Sequence, residues 1–180
     1  WSALAIVVVI VVGLATDLLP SEYPGRSTVA YVAAALVAAV LFLASLLAHE
    51  LAHAIVARRN GVEVRSIVLW LLGGVAQLEG EPGTPGADFR IAVVGPLTSL
   101  GLGVVFGAVG AVAAALDADG LVVGGLGYLA GTNILLAVFN LIPAAPLDGG
   151  RVLRAALWRR SGNREAAAIT AGRAGRFVGF

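Results

Sequence analysis

His49, Glu50 and His53 interrupt an otherwise apolar run from Leu46 to Ala57. In a helix, residues four apart lie about 40° apart around the axis and about 6 Å apart along it, so both imidazoles can reach one metal ion. Glu50 follows His49 directly and can reach water held by that ion, the H-E-x-x-H arrangement. The competing reading is a solvated helix face, but Ala48, Leu51, Ala52, Ala54, Ile55 and Val56 leave no polar face. Ionisable groups set in such a segment face an interior and act there. The chain contains two histidines, both in this motif.

A second polar cluster, Asn140-Leu-Ile-Pro143-Ala-Ala-Pro146-Leu-Asp148-Gly149-Gly150-Arg151, breaks an apolar helix with two prolines and two glycines. Such breaks are tolerated at membrane depth where they line a cavity inside the protein. Without cysteine, a metal must be held by histidine and carboxylate. Hydrolytic zinc sites use three protein ligands and keep one position open. His49, His53 and Asp148 supply three; the alternative for Asp148 is an N-cap of the helix that follows. Glu50 fits the role of a base that takes a proton from water and returns it to a leaving amine. Asn140 could donate to a developing oxyanion, or Asn140 and Asn133 could simply tie helices together.

These groups need elements to hold them. The 180 residues are 59% hydrophobic and 13% charged, with a mean hydropathy of +0.93, against about 45–50% apolar and about 25% charged in soluble domains. An integral membrane protein is implied. The net charge of +1 indicates no affinity for nucleic acid. Spans are expected over about 2–19, 28–57, 89–116 and 121–158, the last broken near 140–148, with an incomplete fifth at 165–180. The first is read as a span, not a signal peptide. With no methionine, Trp1 is not read as a native start, and the chain is expected to be one membrane core taken from a longer protein. Val62–Trp70 alternates and is rich in β-branched residues, predicting a strand; Gly73-Gly74 would turn the chain into a second over 75–79. That hairpin could accept an extended peptide at its edge or merely connect spans. Gly80–Ala87 reads as a loop, Tyr23 as an interfacial anchor. Gly103 and Gly107 stand at the spacing of close helix packing, and Gly125-x-Gly127-x-x-Ala130, which formally matches a nucleotide motif, is assigned to packing because no strand precedes it.

Arg58 and Arg59 beyond the first motif, and Arg151, Arg154, Arg159 and Arg160 beyond the second, mark the cytoplasmic side, with the N-terminus there too. His49 would then lie ~14 Å inside the cytoplasmic end of its span. The expected fold is an all-α polytopic membrane bundle with a small membrane-associated β-hairpin or sheet, and a zinc site between span two and the broken span four.

At this point the chain resembles the site-2 protease family of intramembrane zinc metalloproteases. The resemblance rests on His49-Glu50-Leu51-Ala52-His53, Gly73-Gly74-Val75 after a hydrophobic strand, Gly95-Pro96 opening the next span, and Asn140 to Gly149. It is nearest to the bacterial and archaeal six-span subgroup, in which CBS domains often follow; a sixth span and CBS sequence are absent here. The resemblance implies one Zn2+ on His49, His53 and Asp148, Glu50 as catalytic base, and Asn140 in substrate or oxyanion stabilisation. It also implies a multi-pass protein of the cytoplasmic membrane whose site opens to the cytoplasm. Its substrates would be single-pass membrane proteins, such as anti-sigma factors or other signalling precursors, cut within their transmembrane segments in regulated intramembrane proteolysis. The rival reading is a membrane zinc transporter or sensor using the same ligands without hydrolysis. Nothing in the sequence specifies an oligomeric state.

Overall fold

The structure, a computed structural model, describes residues 2–70 and 73–178. Helix α1 (Ser2–Gly13) runs through a π-helical turn (Leu14–Leu18) into the short α2 (Leu19–Glu22). Then come α3 (Thr28–Arg59), strands β1 (Glu63–Trp70) and β2 (Gly73–Glu79), which pair in a two-stranded sheet, and α4 (Pro85–Ala115). Helices α5 (Gly120–Asn140), α6 (Asp148–Ser161) and α7 (Arg164–Val178) complete the chain. Among the described residues, four helical segments are long and apolar enough to cross a membrane: Leu4–Glu22, Thr28–Arg59, Pro85–Ala115 and Gly120–Asn140. The protein is therefore a multi-pass helical membrane protein.

Several boundaries differ from the expectation. The second membrane-crossing helix runs on to Arg59, and the third starts inside the expected loop at Pro85, where proline suits a helical first turn. The apolar stretch after α5 stops at Asn140 and restarts as the separate α6, because 141–147 is occupied by turns around Pro143 and Pro146. Gly73 and Gly74, expected to turn the chain, belong to β2; residues 71–72 between the two strands lie outside the described residues.

The chain divides into two compact units. The first comprises residues 1–47, 69–74 and 100–134. There the bend after α2 is closed by Tyr31, whose hydroxyl donates to the Tyr23 carbonyl at 2.8 Å and accepts from the Arg26 amide at 3.1 Å. Arg26 pairs with Asp119 at 2.8 Å. Helices α4 and α5 approach closely at Gly103, where a Cβ would stand 2.7 Å from Ile134 Cγ1 and 3.1 Å from the Ala130 carbonyl oxygen. A Cβ at Gly125 or Gly127 meets nothing within 4 Å from outside its own stretch of helix, but the motif does lie against α4, Ala130 at Gly103 and Gly107 and Leu126 at Gly110, while Gly120 and Gly124 lie against the Tyr23 ring. Asn133 is fully buried, and its amide donates to the Leu129 carbonyl of its own helix at 2.8 Å.

The second unit comprises residues 48–68, 75–99 and 135–180. The last turns of α3 end at Gly61, in the left-handed region at φ +77°, with the Val62 amide donating back to the Ala57 carbonyl at 3.0 Å. That closure lets Val62 fold against Ala57 and Ile91, with Val56 and Val64 around them, as an apolar cluster between α3 and α4. Arg164 pairs with Glu81 and lies 5.2 Å over the Trp158 ring.

Candidate metal centre

The five candidate site residues, His49, Glu50, His53, Asn140 and Asp148, lie in the second unit. His49 and His53 sit one turn apart on α3, 2% and 5% exposed. Each ring is held at its outer nitrogen by α4. His53 Nδ1 lies 2.6 Å from the Ile91 carbonyl oxygen. A carbonyl only accepts, so Nδ1 carries the hydrogen and Nε2 of the neutral ring is left with a lone pair. His49 Nδ1 lies 2.9 Å from Ser99 Oγ.

The two Nε2 atoms are thereby turned towards each other, 3.1 Å apart. Asp148 Oδ2 closes the triangle at 3.2 Å from His49 Nε2 and 3.1 Å from His53 Nε2. Three electron-pair donors converge, and with neutral imidazoles at least the His53 corner has no hydrogen to offer the others. A cation satisfies such a cluster, and two imidazoles with a carboxylate suit zinc or a similar divalent ion. Gly95 of α4 makes the room. A Cβ there would overlap His53 Nε2 and stand 2.6 Å from His49 Nε2.

Asp148 is the first residue of α6 and does not cap it: Leu147, in extended conformation, holds the N-cap position with no side-chain bond. The loop 141–147, which includes a cis Ala145–Pro146 peptide, folds onto the first turn of α6. Gly149 fits under the Leu141 and Ile142 carbonyls, and a Cβ on Gly150 would come 2.9 Å from the Ala144 oxygen. Burial alone would raise the Asp148 carboxyl, but in the metal-free protein the hydrogen bonds and positive charge that His49 and His53 offer when protonated outweigh it and draw the group down to about 2. Asp148, beyond the membrane-crossing helix, is thus an anion.

Glu50 is 4% exposed on α3, next to His49. Asn140 ends α5, 8% exposed, and donates one amide hydrogen to the Leu136 carbonyl at 3.0 Å. An asparagine amide has a second N–H to give. Sequence reasoning did not find Ser99, the Ile91 carbonyl or Asp88, and it took Gly95-Pro96 only as the opening of a span. Their spacing held the signal: 88, 91, 95 and 99 recur at three to four residues, one face of α4.

The profile of peptidase family M50 matches residues 37–117 and 112–178. The chain belongs to this family. Among M50-type relatives, it is 52% identical to Rip3 of Mycobacterium tuberculosis over 178 residues, 99% of this chain and 45% of Rip3. It is 37% identical over 132 residues to the zinc metalloprotease MJ0392 of Methanocaldococcus jannaschii, covering 73% of this chain and 38% of that one. Among solved structures it is similar to a site-2 protease from Methanocaldococcus jannaschii, with a TM-score of 0.58 and 30% identity over 88% of this chain and 66% of the other. The chain thus spans less than half the length of the M50 relatives it matches.

Proposed function

We propose that this M50 chain is the catalytic core of a membrane-embedded zinc endopeptidase that cuts peptide bonds within transmembrane segments of single-pass membrane proteins. The observation that carries the reading is the convergence of two histidine Nε2 atoms and Asp148 Oδ2, mutually 3.1–3.2 Å apart, beside a buried glutamate. His49, His53 and Asp148 would hold one zinc ion per chain. Zinc held there would supply Lewis acidity, making water a stronger acid and polarising a scissile carbonyl.

The protein's own groups do the rest. Ser99 and the Ile91 carbonyl fix the two rings so that Nε2 of each points inward. Glu50 accepts a proton from the attacking water and delivers it to the leaving amine, a base-then-acid cycle within one buried side chain. Asn140 offers its remaining N–H to the oxyanion that develops on the carbonyl. The arginines at the end of α3 and along α6 support an orientation with the site opening to the cytoplasm of a cell-membrane protein. Substrates of this kind include signalling precursors and anti-sigma factors, so the activity would release signals by regulated intramembrane proteolysis.

The test is Glu50→Gln in the full-length protein. Zinc content should stay at the parental level, while cleavage of a membrane-inserted substrate helix falls to background. Cleavage by the variant at the parental rate would overturn the assignment of the base. Zinc flux into liposomes carrying the same variant, with no cleavage by the parent, would point to transport instead.

A further inference from the structure

Asp88 is fully buried, yet it lies outside the group of side chains that could hold a metal. It occupies the first turn of α4, where the helix field favours a carboxylate. Its oxygens are turned to α6. Arg154 Nε donates to Oδ2 at 2.9 Å and Arg154 Nη2 to Oδ1 at 2.8 Å, a two-pronged fork, and Arg151 Nη2 reaches Oδ1 at 3.4 Å. A planar guanidinium held this way fixes orientation as well as distance.

The two arginines follow Asp148 along α6 at steps of three residues, so all three side chains lie on neighbouring turns of one side of that helix. The partner face of α4 carries, beyond Asp88, the Ile91 carbonyl and Ser99 that hold the histidine rings and the Gly95 that admits them. Helix α4 therefore touches every member of the cluster: the histidines directly, and Asp148 by way of Arg151 and Arg154. At its start, α6 has no side-chain cap to fix its rotation. A slip by one residue turns a helix through about 100° and would remove Asp148 from the histidines and Arg154 from Asp88 together.

We infer that Asp88 is a positioning residue: through its fork to Arg154 it sets the rotation and height of α6, and so holds Asp148 against His49 and His53. This rests on the reading of those three residues as metal ligands. A merely structural ion pair would alter stability and leave the geometry of the metal site alone.

The experiment uses the full-length protein in detergent, stripped of metal and titrated with cobalt(II), with the absorption spectrum, the affinity against a competing chelator and the melting temperature all recorded. Asp88→Asn and Arg154→Gln are each expected to weaken cobalt binding about ten-fold and to change the spectrum, as loss of groups supporting a ligand does. The double variant should lose no more than the worse single one, because the two act through one contact. Where Asp88→Asn does not fold, Arg154→Lys, which keeps the charge and loses the fork, should still weaken binding. Parental affinity and spectrum in the folded Asp88→Asn or Arg154→Lys protein, or additive losses in the double variant, would overturn the inference. A parent that binds no cobalt, or binds it equally well as His49→Ala, would instead overturn the metal-site reading.

Discussion

Gly95 of α4 leaves vacant the space that His49 of α3 needs: a Cβ at Gly95 would stand 2.6 Å from His49 Nε2, closer than real Cβ atoms come to other groups. The same Cβ would overlap His53 Nε2. The helix ladder is also interrupted here, since Pro96 has no N–H for the Ala92 carbonyl four residues back. Gly95→Ala must displace both rings from the positions in which their Nε2 atoms meet Asp148. Overpacking of this kind costs on the order of 1–3 kcal/mol. The expected outcome is a folded protein with a lower melting temperature and almost no bound zinc after dialysis, measured by elemental analysis. Parental zinc content would show that the rings have another way to converge.

Ser99 and His49 give a milder version of the same test. Ser99 Oγ, 2.9 Å from His49 Nδ1, holds the ring so that Nε2 faces Asp148. Groups that orient a metal-bound histidine contribute about 10–100-fold to metal affinity. Ser99→Ala should therefore weaken zinc binding within that range, read by competition with a chromophoric chelator, while Ser99→Thr, which keeps the hydroxyl, should stay near the parent. Equal affinity in Ser99→Ala would mean that helix packing alone orients His49.

The histidine motif was legible because a helix turns any i, i+4 pair to one side, and because polar groups in an apolar run stand out. Asp148 was legible for the same reason, although its alternative as a cap could be removed only by seeing Leu147 at that position. What the sequence hid was the support from α4. A backbone carbonyl such as Ile91 has no signature in side-chain identity, and Ser99 in an apolar helix reads as a small packing residue. Asp88 fell between a loop expected to end at Ala87 and a span expected from about Phe89, and drew no notice; the helix in fact begins at Pro85. Arg151 and Arg154 were read as topological markers, and their pairing partner 63 and 66 residues away could come only from the fold.

Asp148 should also mark itself in the metal-free protein. Its carboxyl is drawn from an ordinary value of 3.8 to about 2. A group with a lowered folded-state pKa stabilises the fold above its unfolded value, and that contribution is lost as the pH falls through the folded one. Asp148→Asn should therefore melt below the parent at pH 7 in the presence of chelator. The gap should narrow between about pH 4 and pH 2, as the parent's carboxylate is protonated. A gap that is constant with pH would mean that shape, and not charge, joins Asp148 to the histidines.

The first unit gives a prediction independent of any metal. Gly103 and Gly107 stand one turn apart on α4, but their surroundings differ. A Cβ at Gly103 would press on Ile134 Cγ1 at 2.7 Å, the Ala130 carbonyl at 3.1 Å and the Ile134 amide nitrogen at 3.2 Å, two of them backbone atoms that cannot turn aside. At Gly107 the same atom would find only Ala130 Cβ, at an ordinary 3.7 Å. Lipid supplies no hydrophobic force between helices, so close backbone approach is what joins α4 to α5. Gly103→Ala should therefore separate the helices and cost on the order of 1–3 kcal/mol. Gly107→Ala should be neutral or slightly stabilising, since it adds contact and restricts the unfolded chain. Melting temperatures of the two variants in one detergent decide the matter: equal losses would mean that the spacing of small residues, and not the contact at Gly103, governs this packing.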